Sequence, residues 1–187
     1  MTNDLKKACE AIRQGSVILY PTDTVWGIGC DATNSVAVQR VFDIKHRADS
    51  KAMLILTDSI ETAETVAGVL SPEAKKLLLS ADRPTTVIVP GAHNIAPQLI
   101  AADGSVGIRI TAEKFSSELC RMAGVPLVST SANISGESGA PTYADISQKI
   151  IESVDYVCTT RRDDTTPALP SRILKIESDG SITCIRP

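Results

Sequence analysis

Aromatic side chains are scarce. They make up 3% of the 187 residues: Trp26, Phe42, Phe115, Tyr20, Tyr143 and Tyr156. A core must then be assembled from Val, Ile, Leu and Ala, and little remains to build a stacking platform for single-stranded nucleic acid. Histidine is rarer still, with His46 and His93 far apart, which argues against a His-rich transition-metal site. The five cysteines, at 9, 30, 120, 158 and 184, include no CxxC pair and are odd in number. That pattern fits free thiols in a reducing cytoplasm better than a disulfide framework. No apolar run approaches the roughly 18 residues of a membrane helix, and the opening Met-Thr-Asn-Asp-Leu-Lys-Lys lacks the apolar stretch of a signal peptide. The expected location is cytoplasmic, with no membrane.

Several motifs are missing too. There is no GxxxxGK[ST] loop, and Gly27-Ile28-Gly29 lacks the third glycine of a dinucleotide fingerprint. His93 lies in a Pro/Gly-flanked stretch and His46 among cations, so no Ser-His-Asp arrangement is in view. Lys plus Arg number 19 against 22 Asp plus Glu, a formal charge of −3. Such a chain is a poor stand-alone nucleic-acid binder, although a local basic patch stays compatible with it.

What is present is an alternation of short β-branched runs and helical stretches, with 43% hydrophobic residues and a length that suits one domain over 1–187. Periodicity predicts helices over 3–13, from Asn34 through Phe42, and near 59–69, 72–80 and 114–122. Strands are expected at 16–20, 25–30, 53–57, 85–89, 106–110, 126–129 and 156–158. A hairpin is expected from 171–176 and 182–185 around Asp179-Gly180. Thr142 with Asp145 reads as a capping arrangement for a helix running to about 153. The order implies an α+β fold, a mixed sheet covered by helices.

Four polar clusters interrupt the apolar pattern. Tyr20-Pro21-Thr22-Asp23-Thr24 reads either as hydroxyls gripping a small polar ligand or as a turn that satisfies its own backbone. Lys45-His46-Arg47, with Lys51 beyond, suits either a helix dipole or a polyphosphate held by an Arg fork and Lys point charges. Ser129-Thr130-Ser131-Ala132-Asn133 follows a strand and offers hydrogen-bonding groups to a phosphate or a base edge, or simply starts a loop. Arg109 stands inside the apolar run 106–110, pointing either to solvent on an alternating face or to an anion in a cleft.

Taken in order, these clusters resemble the YrdC-type threonylcarbamoyl-AMP synthase family over nearly the whole chain. The resemblance rests on YPTDTVWGIGCDA at 20–32, the KxR of Lys45 and Arg47, and STSANISG at 129–136. Weaker support comes from Val106-Gly107-Ile108-Arg109, Pro170-Ser171-Arg172-Ile173-Leu174 and Ile185-Arg186-Pro187. It implies a twisted mixed sheet with a concave, locally basic face, in the family's short single-domain form. The implied activity joins L-threonine, bicarbonate and ATP, with Mg2+, into threonylcarbamoyl-AMP and pyrophosphate. Other proteins of the tRNA threonylcarbamoylation machinery would then use the product, and tRNA itself would be met indirectly or weakly.

By the same resemblance Lys45 and Arg47 are the catalytic cations. ATP would be held by Lys45, Arg47, Lys51, Ser131, Asn133 and Arg186, and threonine by Thr24, Thr86, Arg109 and Ser171. No metal ligands are implied among the side chains. The chain departs from the pattern where relatives often carry a Lys-Pro-Leu run ending in His: here Lys51-Ala52-Met53 leads to Leu56. The alternative kept open is a non-catalytic RNA-binding paralogue on the same scaffold.

Overall fold

The computed structural model describes residues 2–46, 53–79, 82–137, 139–177 and 179–187. Helix α1 (Asn3–Arg13) begins where the Thr2 hydroxyl accepts the Leu5 N–H, and it buries Leu5, Ala8, Cys9 and Ile12 along one stripe. Strands β1 (Ile18–Tyr20) and β2 (Gly27–Gly29) form an antiparallel pair around the Tyr20–Thr24 turn. Asn34 caps α2 (Ser35–Ile44) by accepting the N–H groups of Val36 and Ala37, both at 3.1 Å. Strand β3 (Leu54–Thr57), helices α3 (Ile60–Ala67) and α4 (Pro72–Leu79), and strands β4 (Thr85–Val89) and β5 (Val106–Ile110) follow. Helix α5 (Lys114–Ala123) is capped by the Glu113 carboxylate and ended by Gly124 in the left-handed region, φ 72°. After β6 (Leu127–Ser131) come α6 (Gln148–Ser153), β7 (Tyr156–Val157), β8 (Arg172–Ile176) and β9 (Ile182–Arg186).

Two expectations shift. The strand after Pro126 runs on to Ser131, because Thr130 and Ser131 pair with Ile28 and Gly27 of β2 instead of opening a loop. The helix expected from Thr142 to about 153 is broken. The Asp145 carboxylate accepts the Thr142 N–H and hydroxyl at 3.1 and 2.7 Å, but this cap serves only a single 3₁₀ turn, Tyr143–Asp145. Ile146 is extended (ψ 128°), and α6 starts afresh at Gln148.

Among the described residues the strands form one nine-stranded mixed sheet, in the order β7-β1-β2-β6-β3-β5-β4-β8-β9. The fold is α+β. Strand periodicity sorts the side chains. Ile28, Ile55, Val87, Ile108 and Val128 are fully buried in the core against the helices, each burial contributing about 1.5–3 kcal/mol. Their neighbours one position away, Gly27, Leu54, Thr86, Gly107 and Ser129, form the floor of a cavity instead. The register carries this pattern across the sheet, with Leu54 opposite both Gly107 and Ser129, and Gly107 opposite Ile88.

Glycine is required at position 29, where a Cβ would lie 2.3 Å from the Val128 carbonyl oxygen. This lets the β1–β2 pair press against β6 and brings the Thr22–Thr24 turn to the cavity rim. The stretch 158–171 leaves β7 at one edge of the sheet and reaches β8 near the other. On the way Arg161 donates to the Thr22 carbonyl at 3.0 Å, and the Ala168 N–H to the Pro141 carbonyl at 3.2 Å. Its start is tied to α1. The buried Asp4 carboxylate accepts the Tyr156 hydroxyl (2.6 Å), the Thr159 and Thr160 N–H groups and the Thr160 hydroxyl (2.5 Å).

Candidate active site

The cavity has a volume of about 400 Å³, in the size range of small-molecule sites. Thr24, Thr86, Arg109, Ser131, Asn133, Ser171 and Arg186 all line it, although they come from six separate stretches of chain. Lys45 stands immediately behind it, while Arg47 and Lys51 lie outside the described residues.

At the β1–β2 end the turn satisfies its own backbone. The Thr22 hydroxyl accepts the Thr24 N–H at 3.0 Å and donates to the Val25 carbonyl at 2.8 Å, satisfying the backbone. That self-contained turn holds Thr24 against the cavity, its hydroxyl 3.0 Å from that of Thr22.

At the centre, Arg109 is 3% exposed, so its side of β5 is a cleft, not solvent. Its Nη2 lies 3.1 Å from Asp23 Oδ1, an ion pair that misses hydrogen-bond alignment, since neither Asp23 Oδ1 nor Arg109 Nε has a hydrogen-bond partner. Burial pushes the Asp23 carboxyl above the usual range, with nearby Glu113 adding to the effect and Arg109 opposing it. Leu56, opposite Arg109 in the β3–β5 register, is fully buried.

At the β8–β9 end, the Thr86 and Ser171 hydroxyls are 2.9 Å apart. Arg186 donates from Nε to the Ser171 carbonyl (2.8 Å) and from Nη2 to its hydroxyl (3.2 Å). Burial, then the like charge of Arg109, holds the Arg186 guanidinium below its ordinary pKa. Two guanidiniums thus border one cavity, that of Arg109 already beside the Asp23 carboxylate.

At the β6 end, Lys45 follows the last turn of α2, and its ammonium reaches the loop after β6. The buried ammonium donates to the Ser131 carbonyl at 2.5 Å and the Asn133 carbonyl at 2.7 Å. The Ser131 hydroxyl donates to Asn133 Oδ1 at 2.5 Å, and Asn133 Nδ2 donates to the Ile134 and Glu137 carbonyls. Lys45 thus builds the loop that presents Ser131 and Asn133.

Ser105, Gly107, Ser129 and Thr130 also line the cavity. Counting back by twos from Arg109 identifies Gly107 and Ser105, so part of that signal was in the sequence. Among the described residues no three His, Cys, Asp or Glu side chains cluster to cage a metal, and no helix is long and apolar enough to cross a membrane.

The comparisons agree with this architecture. Residues 10–187 match the family model Sua5_yciO_yrdC, described as "Telomere recombination". A threonylcarbamoyl-AMP synthase of Thiobacillus denitrificans is 36% identical over 83% of this chain and 85% of its own. The Idiomarina loihiensis protein of the same name is 34% identical over 93% and 94%. Among solved structures, P. abyssi Sua5 complexed with L-threonine superposes with a TM-score of 0.85 at 22% identity. That alignment covers 98% of this chain but 53% of the P. abyssi protein, so the chain spans about half of that relative. The chain therefore belongs to the Sua5/YciO/YrdC family, and its curated relatives are named threonylcarbamoyl-AMP synthases.

Proposed function

We propose that this protein makes threonylcarbamoyl-AMP and pyrophosphate from L-threonine, bicarbonate and ATP. The observation that carries the reading is the convergence of Thr24, Thr86, Arg109, Ser131, Asn133, Ser171 and Arg186 on one cavity, with two guanidiniums facing it. The amino acid lies at the Arg109 end, its carboxylate on the guanidinium and its hydroxyl-bearing side chain among Thr24, Thr86 and Ser171. The nucleotide lies toward Ser131 and Asn133, with Arg47 and Lys51 completing the phosphate grip and Lys45 supporting that loop.

The threonine amine attacks bicarbonate, and water leaves as the carbamate forms. A carbamate oxygen then attacks the α-phosphorus of ATP, and pyrophosphate departs with the bonding pair. No protein nucleophile is required. Positioning and charge neutralisation supply the catalysis, in line with the many hydroxyls and cations here. Mg2+ enters as part of the substrate, Mg-ATP. The work is cytoplasmic, and the adenylate passes to other proteins of the tRNA threonylcarbamoylation machinery. The names of the relatives favour this over a non-catalytic RNA-binding role.

The test is incubation with ATP, Mg2+, threonine and labelled bicarbonate. A labelled, labile adenylate should appear with pyrophosphate, and both should vanish when threonine is omitted. Threonine-independent release of inorganic phosphate would overturn the assignment in favour of a phosphohydrolase.

A further inference from the structure

Asp23 does not line the cavity, yet its carboxylate is committed to a residue that does. Its side chain is 12% exposed and that of Arg109 3%, with 3.1 Å between Oδ1 and Nη2. Asp23 sits between Thr22, which fixes the turn, and Thr24, which faces the cavity, so the turn that presents Thr24 also aims the carboxylate. The other charges near this pair do not replace Asp23. Arg186 repels Arg109, and Glu113 repels Asp23. Glu113 is itself engaged with the N–H groups of Phe115 and Ser116 and lies 3.7 Å from Arg161. Across β3, Leu56 supplies no polar contact.

We infer that Asp23 is a positioning residue for the substrate's carboxylate: it anchors one corner of the Arg109 guanidinium from behind and leaves the unspent donors for the ligand. The inference rests on the reading above, in which Arg109 meets the amino acid. A buried arginine has several rotatable bonds, and a fork used for two-point recognition loses its value if it swings. An ion pair without hydrogen-bond alignment is suited to this. It holds one Nη corner of the cation while Arg109 still lines the cavity.

The experiment compares wild type with Asp23→Asn, which keeps the shape and removes the charge. Threonine KM and ATP KM are measured by pyrophosphate release, threonine affinity by calorimetry, and stability by melting. Threonine KM and Kd should rise about 10- to 100-fold, the cost of a misplaced contact, while ATP KM stays within about twofold. In an Arg109→Met background, where the fork is gone, Asp23→Asn should add nothing further. Unchanged threonine affinity with only a lower melting temperature would overturn the inference, as would additive losses in the double variant. Tighter threonine binding would also overturn it, since it would make Asp23 a brake on the cation. If Asp23→Asn does not fold, Asp23→Glu decides. A rise in threonine KM alone supports the inference, and wild-type constants overturn it. Wild-type protein that neither binds threonine nor releases pyrophosphate would defeat the reading itself, and the inference with it.

Discussion

The two faces of the sheet are made from the same strands, one residue apart, yet they follow different rules. On the helix-covered face, Ile28, Ile55, Val87, Ile108 and Val128 are fully buried and dense with branched carbons. On the cavity face, glycine, serine and threonine keep the floor low, and the charged Arg109 is buried without a complete set of hydrogen bonds. Stability is concentrated on the first face, and the second encloses a cavity. That separation explains how an apolar strand such as 106–110 can carry a buried cation without losing its place in the core.

The sharpest break of the comparison uses adjacent residues. Ile108→Ala should cost about 2–5 kcal/mol of stability, as buried Ile-to-Ala changes do, while the folded fraction keeps wild-type KM values. Arg109→Lys retains a charge for Asp23 but loses the fork. Threonine-dependent activity should fall roughly 100-fold, or about 2.7 kcal/mol, with little change in melting temperature. Melting curves and steady-state rates on the two variants, measured together, test the division. If both variants lost the same property, the faces would not be separate.

Adding volume to the cavity floor should come next in size. A Cβ at Gly107 would lie 3.3 Å from the Thr86 Cγ2 methyl, close enough that the neighbour must give slightly. Gly107→Val should lower threonine-dependent turnover about tenfold or more, while stability moves by about 1 kcal/mol, since valine suits a strand. Loss of folding with normal kinetics in the soluble remainder would show that the floor is structural packing.

The smallest effect lies away from both faces, at Asp4. Burial raises its carboxyl pKa, but hydrogen bonds from Thr160, Tyr156 and the Thr159 and Thr160 amides outweigh that and leave it below the ordinary aspartate value. With the folded pKa depressed, the stabilisation is present above the unfolded value of about 3.9 and is lost as pH falls through the lower folded value. Asp4→Asn should remove about 1–2 kcal/mol at neutral pH and flatten the acid limb of stability against pH, with catalysis at neutral pH nearly unchanged. Denaturation at a series of pH values checks it.

How much of this was legible in the sequence follows from what periodicity can and cannot report. Alternation over 106–110 showed which residues share a face with Arg109, but not whether that face meets water or a cleft. The answer depends on β8 and β9, which lie more than sixty residues onward in the chain. The motif strings marked Thr24, Ser131 and Asn133, and the fold brings them to one cavity. The support given by Lys45 to the Ser131–Asn133 loop was not readable, because its acceptors include backbone carbonyls 86 and 88 positions away. Asp23 escaped for a related reason. In a Pro-Thr-Asp-Thr turn an aspartate has an ordinary local explanation, and only the third dimension puts it beside Arg109.

The path of residues 158–171 across the width of the sheet has a consequence of its own. Ser171 and Arg186 reach the cavity on a hairpin that the chain enters only by this crossing, while that hairpin's lateral attachment is the β4–β8 ladder. The crossing limits how far Ser171 can move from the Thr22 turn, to which Arg161 ties its start. A single backbone cut within it would leave the cavity assembled from two polypeptides, held by the β4–β8 ladder and by side-chain contacts such as Thr86–Ser171 and Lys175–Asp103. The distance between the Thr22 turn and Ser171 would then be set by non-covalent contacts in place of covalent reach.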